Sequence, residues 1–283
     1  MSAAPALPGL EVERDVSRDD LARFLSEDRL FAAYALADLD AENVSGARWW
    51  LARRDTTPVA AALAMVDLSF RPLFLVGEVQ GAAALLRHGV REPRVIVAAP
   101  LEHRPVVEEA YRLERVDRML RMVVDGASFR PSEPFRPVRL DASFLDDVID
   151  LYGLASRTYF TPRRLEREIY FGIYDGSSLV AAAGTHVRST EFGVAAVGNV
   201  LTRPTYRDRG LATACSSAVT AACLEQHRDV VLNVREDNDP AIAVYRRLGY
   251  RVHRPFMESV GYRRVGLRAV FENILRGSER DNR

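Results

Sequence analysis

Apolar residues recur along this chain in two rhythms, and each change of rhythm falls at a polar, Gly- or Pro-containing turn. In the first half, apolar runs predict strands at Leu10–Arg14, Ala47–Arg53, Val59–Val66, Leu73–Val76, Arg94–Ala98 and Leu120–Val124. Helical spacing predicts helices at Val16–Glu27, Arg29–Leu39, Val79–Arg87 and Arg104–Tyr111, the first capped by Asp15 or Ser17. The order is strand, two helices, three strands, helix, strand, helix, strand. Residues 1–9 are rich in Ala and Pro and read as a loose start. Asp125–Pro137 holds Gly126, Pro131, Pro134 and Pro137. Proline fixes φ and removes donors, so this stretch reads as a semi-rigid connector.

The second half repeats the order. Val138–Leu140 is a strand, and Asp141 caps a helix to Tyr152. Leu154–Phe160 is a loop or short helix, and Thr161-Pro162 starts a helix through Glu168. Strands follow at Ile169–Tyr174, Ser178–His186 and Phe192–Thr202, the first two joined by the tight-turn pair Asp175-Gly176. A helix opens after Gly210, Val230–Val234 is a strand, and Asn238 caps a helix that Gly249 ends. Strands at Tyr250–His253 and Phe256–Tyr262 and a helix at Gly266–Leu275 complete the pattern. The repeat predicts a domain over residues 1–127, a linker over 128–137 and a second domain over 138–283. An unrelated α/β cap is the alternative for the first half.

Composition narrows the function. The chain has 283 residues and is 48% hydrophobic, enough for two ordinary domains. Its 39 basic and 39 acidic residues cancel, which argues against a nucleic-acid or anionic-membrane surface. Every basic residue is Arg, so no Lys amine can act in catalysis. Cys215 and Cys223 stand eight apart on one helix face, a spacing for packing and not for a disulfide or metal site. His88 and His103 fall near helix ends, where they are expected to be solvated. Met1–Leu10 lacks a basic, apolar leader, and no run is long enough to span a membrane. The expectation is a soluble cytoplasmic protein of bacterial type, monomer or homodimer, with no metal.

The stretch with the clearest chemistry is Val200-Leu201-Thr202-Arg203-Pro204-Thr205-Tyr206-Arg207-Asp208-Arg209-Gly210-Leu211-Ala212. It reads as a strand end, a basic turn and a helix start. Free N–H groups at a helix N-terminus attract anions, and Gly210 lets a phosphate approach the backbone. The stretch is neither a Walker loop nor a dinucleotide fingerprint.

Arg207-Asp208-Arg209-Gly210-Leu211-Ala212 resembles the Q/R-x-x-G-x-G/A signature of the GNAT acyltransferase superfamily. The segment Asn238-Asp239-Pro240-Ala241-Ile242-Ala243-Val244-Tyr245-Arg246-Arg247-Leu248-Gly249-Tyr250 resembles that family's N-x-x-A-x-x-x-Y-x-x-x-G-F/Y segment. The resemblance covers residues 135–265. It implies an α/β (α+β) fold of two tandem GNAT-like domains, each a mixed, mostly antiparallel sheet flanked by helices. The first copy is degenerate, because its equivalent turn, Val76-Gly77-Glu78-Val79-Gln80-Gly81, carries a carboxylate and no Arg.

The resemblance also implies site residues. Acetyl-coenzyme A would be held by Leu201 and Thr202 along the pantetheine arm. Arg207, Asp208, Arg209, Gly210, Leu211, Ala212 and Thr213 would hold the pyrophosphate, with Asn238 nearby. A backbone N–H of the splayed strand would polarise the thioester carbonyl. Tyr245 matches the tyrosine that protonates the leaving thiolate. The positions where relatives carry a glutamate base are Asn199 and Asn233 here, and an amide cannot be a base. His186 is the leading substitute, with Glu191 or a water chain held by the two asparagines as alternatives. Tyr152, Arg157, Tyr159, Arg163 and Arg164 fall where the acceptor pocket is expected. Of these, Tyr159 and Arg163, together with Asn199 and Asn233, are the candidate substrate ligands. Arginine's fork matches a carboxylate, so a small amine, possibly an amino acid, is the expected acceptor. Direct transfer in a ternary complex is expected, since no Cys stands at the splay. A non-catalytic acyl-CoA sensor and an enzyme on peptide or protein N-termini are the alternatives.

Overall fold

The computed structural model describes residues 9–14, 16–40, 46–65, 71–132 and 135–264. The helix expected at 266–275 and the cap expected at Asp15 lie outside the described residues. In chain order the elements are β1 (Leu10–Arg14), α1 (Arg18–Ser26), α2 (Ala33–Asp38), β2 (Ala47–Arg54), β3 (Thr57–Met65), β4 (Pro72–Gly77), α3 (Val79–Ala84), β5 (Arg94–Ala99), α4 (Arg104–Ala110), β6 (Tyr111–Leu113) and β7 (Asp117–Asp125). Then come β8 (Val138–Arg139), α5 (Leu145–Tyr152), α6 (Pro162–Arg167), β9 (Tyr170–Asp175), β10 (Ser178–Ser189), β11 (Val194–Thr202), α7 (Leu211–Leu224), β12 (Asp229–Arg235), α8 (Asp239–Arg247) and β13 (Arg251–Arg263). The expected caps form at Ser17, Asp141, Thr161 and Asn238, each accepting from a first-turn N–H.

The chain forms two compact units that are interleaved along the sequence. One unit comprises Met1–Val16, Arg48–Asp117 and Met257–Arg283, and the other Ser17–Ala47 and Arg118–Phe256. The expected linker at 128–137 therefore falls inside the second unit. There the backbone N–H of Arg130 donates to the Leu248 carbonyl (3.0 Å), and that of Ser132 donates to Ser217 Oγ (2.8 Å). The two strands expected over 250–262 form one, β13, which continues through the exposed Pro255.

In the first unit the strands run β1-β2-β3-β4-β5, followed by the C-terminal part of β13. Strands β4 and β5 are parallel, pairing Pro72–Phe74 with Ile96–Ala98, between antiparallel neighbours. Leu73, Leu75, Leu85, Val95 and Val97 are buried together with Tyr111 and Met257. His103 is fully buried, not solvated as its place near a helix end suggests. Its Nε2 bonds the Gly77 carbonyl at 2.8 Å, which satisfies a polar group at the end of β4. Glu78 pairs with Arg54 (2.7 Å) at the turn into α3.

In the second unit the order is β7-β12-β11-β10-β9-β8. Again one parallel pair, β11 with β12, stands among antiparallel ones. The two units thus repeat one design: a parallel pair joined through a helix, flanked by antiparallel strands. Alternate residues of β12 and β7, Val230, Leu232, Leu120, Met122 and Val124, pack with Leu211, Cys215, Val219 and Cys223 of α7. Leu140, Val148, Leu151, Phe160 and Leu165 form a second core with Tyr170, Leu179 and Ala182. Helices α1 and α2 belong to this unit as well. Arg29 pairs with Asp229, and Asp28 receives His253 (2.7 Å) and Arg254 (3.2 Å). The buried Arg121 guanidinium of β7 lies over Tyr34 (4.6 Å), Phe256 (5.6 Å) and Phe31 (5.7 Å).

Candidate functional site

All the expected site residues lie in the second unit. Strands β11 and β12 pair only over Val194–Val197 and Asp229–Leu232. Beyond that, Gly198–Thr202 and Asn233–Arg235 part. Each stays attached on its other side, Leu201 and Thr202 to Ala182 and Ala181, and Asn233 to Arg121. Backbone groups of this stretch that face away from β10 therefore have no ladder partner on β12. Two buried side-chain atoms of the parting segments, Thr202 Oγ1 and Asn233 Oδ1, have no hydrogen-bond partner among the described residues. Orphaned buried polar atoms are rare, and these two suit a polar arm carrying amides. The residues present thus fit the pantetheine of a coenzyme A thioester.

The turn after β11 fits the phosphate end. Asp208 (φ 62°) and Gly210 (φ 80°) are both left-handed and flank Arg209, and Gly210 occupies the cap of α7. The N–H groups of Leu211, Ala212 and Thr213 begin the helix and have no acceptor within it. Buried Leu211 fixes the first turn to the core, while Arg207, Asp208, Arg209 and Gly210 are exposed. A cavity of about 330 Å³ lies against this turn, lined by Gly210, Thr213, Arg130, Pro131, Ser132, Arg247 and Leu248. Arg130 and Arg247 were not singled out from sequence, because nothing local marks residues brought here from the connector and from the end of α8. Asn238 forms the cap the sequence predicts: its Oδ1 accepts from the Ala241 N–H (3.3 Å) at the start of α8.

Within β11, one residue organises a network. Asn199 sits at φ 50°, a left-handed conformation that Asn tolerates. Its Nδ2 donates to the hydroxyls of Tyr170 (2.8 Å) and Tyr159 (2.9 Å), its Oδ1 meets His186 Nε2 (3.1 Å), and its carbonyl accepts the Tyr152 hydroxyl. Gly184 and Gly198 stand opposite each other in the β10–β11 register. A Cβ at Gly184 would come within 2.1 Å of the Tyr170 ring, and one at Gly198 within 2.5 Å of the His186 ring. Both glycines are needed to let those rings lie against the strands and reach Asn199.

His186 is not placed as a free base. Its Nδ1 meets the Tyr34 hydroxyl (3.2 Å) of α2, so both ring nitrogens are engaged. Burial is the main cause that lowers its pKa, to about 4. Glu191 pairs with Arg18 at the surface. Arg163 is exposed on α6, and its neighbour Arg164 turns inward instead. Arg164 Nη2 donates to the Tyr159 hydroxyl (2.6 Å) and the His186 carbonyl (3.0 Å), and the guanidinium stacks 3.9 Å from the Tyr159 ring centre. Tyr245 of α8 is buried, and burial pushes its pKa up to about 12. No described residue takes its hydroxyl.

Among the described residues no group of three His, Cys, Asp or Glu side chains could hold a metal, and no helix is long and apolar enough to cross a membrane. Residues 170–258 match the family described as FR47-like protein. No curated protein matches the chain in sequence. Several solved structures share its fold. A GNAT-family protein from Novosphingobium aromaticivorans is 21% identical at a TM-score of 0.53, over 78% of this chain and 90% of that one. A GCN5-related N-acetyltransferase from Sphaerobacter thermophilus is 15% identical at a TM-score of 0.56, over 92% and 98%. A tandem GNAT protein from the clavulanic acid biosynthesis pathway is 15% identical at a TM-score of 0.52, over 89% and 97%. The family match falls on the splay, turn and α8 described above, and the chain shares the fold of these GNAT structures.

Proposed function

We propose that the protein is an N-acyltransferase that moves an acetyl group from acetyl-coenzyme A to a small-molecule amine, by direct transfer in a ternary complex. The observation that carries this is the splay between β11 and β12, where Thr202 Oγ1 and Asn233 Oδ1 lie buried and unpartnered. The left-handed turn at Gly210 lies at one end of β11, and the Asn199 network lies within it. A thioester lying in the splay presents its carbonyl to a backbone N–H of the splayed strand that faces away from β10, which stabilises the oxyanion as the amine attacks. The acceptor nitrogen forms the new amide bond while the carbon–sulfur bond breaks. Tyr245 keeps its proton at neutral pH and can give it to the departing sulfur. Neither Asn199 nor Asn233 can take the proton that the amine loses, and the His186 imidazole is a weak base engaged at both nitrogens. The acceptor therefore reacts as the neutral amine, with its proton released to water.

Thiol release from acetyl-coenzyme A against pooled amines and amino acids tests this, with Gly210→Glu alongside. The expected outcome is release that depends on one pool and disappears in Gly210→Glu, along with acetyl-coenzyme A binding. Binding by the parent without release in any pool would favour a sensor. Undiminished binding by Gly210→Glu would overturn the cradle.

A further inference from the structure

Among the described residues Arg164 is a half-buried cation without an ion pair. Buried charges are normally paired, because removing a charge from water costs several kcal/mol unless a counter-ion or dense hydrogen bonding offsets it. Among the described residues the guanidinium contacts uncharged groups, the Tyr159 hydroxyl, the Tyr159 ring and the His186 carbonyl, with the Tyr170 hydroxyl in reach. The nearby Glu168 carboxylate takes the Thr185 hydroxyl instead (2.6 Å). Arg164 Nε is buried and has no hydrogen-bond partner among the described residues.

The protons of the surrounding hydroxyls can be assigned. Tyr170 donates to the Thr185 carbonyl (3.2 Å), so its oxygen must accept from Asn199, which fixes that amide with Nδ2 toward the tyrosines and Oδ1 toward His186. His186 then carries its proton on Nε2 and accepts from Tyr34 on Nδ1. Tyr152 donates to the Asn199 carbonyl. Tyr159 is different. Its oxygen accepts from both Arg164 and Asn199, and its own proton has no taker among the described residues. A phenol that receives a guanidinium N–H is a strengthened donor. This one touches the side chain of Asn199, directly before Val200–Thr202 of the splay.

We propose that Tyr159, backed by the charge of Arg164, binds a carboxylate carried on the same small molecule as the reacting amine, so that the acceptor is an amino acid or a close relative. The proposal rests on acyltransfer at this splay. It accounts for both the unpaired cation and the unused proton: the carboxylate takes the Tyr159 hydroxyl proton in a hydrogen bond and neutralises the Arg164 field, leaving the amine near the thioester.

The test is calorimetry on the full chain saturated with coenzyme A, titrating free amino acids, their carboxamides and aminoalkyl phosphates, with thiol-release kinetics on every binder. At least one amino acid should bind tenfold or more tightly than its carboxamide, the scale of a hydrogen bond to a charged group. Tyr159→Phe keeps the ring and its stacking. It should abolish that preference and raise the amino acid's KM about 10- to 100-fold, while leaving the affinity for acetyl-coenzyme A unchanged. Arg164→Lys should retain part of the preference. Equal binding of acid and carboxamide, binding of no amino acid, tighter binding of the phosphates, or a preference that survives in Tyr159→Phe would each overturn the proposal. Failure of the acyltransferase assignment would appear separately, as a parent protein that does not bind acetyl-coenzyme A.

Discussion

In the proposed reaction, the role of Tyr245 comes from its surroundings. Its ring packs edge-on against Tyr250, with centroids 5.9 Å apart, so the body of the side chain belongs to the core of the second unit. Burial keeps the phenol protonated at neutral pH, and its hydroxyl is not committed to a described residue. Tyr245→Phe keeps the packing and removes only the donor. We expect kcat to fall about 10²-fold, the scale of a lost general acid, with acetyl-coenzyme A affinity and Tm nearly unchanged. Stopped assays of thiol release alongside calorimetry separate the two, and an unchanged kcat would remove Tyr245 from the proton path. The position itself was legible in sequence, since it falls within a motif of fixed spacing. Asn238, in the same motif, was legible as a cap, and the structure forms it. Arg163 and Arg164 were not separable, because which of two adjacent arginines turns inward depends on how Leu165 seats α6 in its core, and that is a packing fact. His186 was found, but the Tyr34 hydroxyl that occupies its Nδ1 stands 152 positions away in the chain.

Among the elements, α2 has the least expected role. Sequence marks it as an ordinary helix of the first half, yet it packs against β10 and β11 of the second unit. Tyr34 reaches the Asn199 network from this helix, and Asp40 receives the Ser189 hydroxyl (2.7 Å). Its last residue is Asp38. Burial alone pushes that carboxyl from 3.8 up to about 7. The C-terminal end of a helix is also an unfavourable place for a negative charge. The sign follows directly. Between pH 4 and pH 7 the folded chain holds a proton that the unfolded chain has lost, so stability declines as pH rises through this window and is level above it. Asp38→Asn removes that dependence. The variant should match the parent near pH 4 and exceed it at pH 8, by at most about 4 kcal/mol. Melting both proteins at pH 4.5 and pH 8 is sufficient. An equal difference at the two pH values would show that Asp38 does not titrate in the folded state.

For the whole molecule, local pattern reveals the elements but not their partners. Caps, turns and apolar periods act over a few residues, and nearly every expected element formed within a few residues of its place. Strand pairing has no such local mark. Nothing in Asp117–Asp125 says that it will lie antiparallel to Asp229–Arg235, and nothing in Arg18–Asp38 says that it will join the same unit. The contiguous division that the repeat suggests is therefore not the division into compact units. A chain of residues 138–283 would carry both motifs and every expected site residue. It would lack β7, leaving the outer edge of β12 with open N–H and C=O groups, and it would lose Leu120, Met122 and Val124 from the core around α7. It would also lose α1 and α2, and with them the Arg29–Asp229 pair and the Tyr34 contact to His186. We expect this fragment to aggregate or to melt without cooperativity, and to bind a hydrophobic dye, whereas the full chain unfolds in a sharp transition. A monomeric fragment with a cooperative melt and intact acetyl-coenzyme A binding would mean that the interleaved segments are dispensable. The first half of the chain would then need a different reason to be present than completing the second unit.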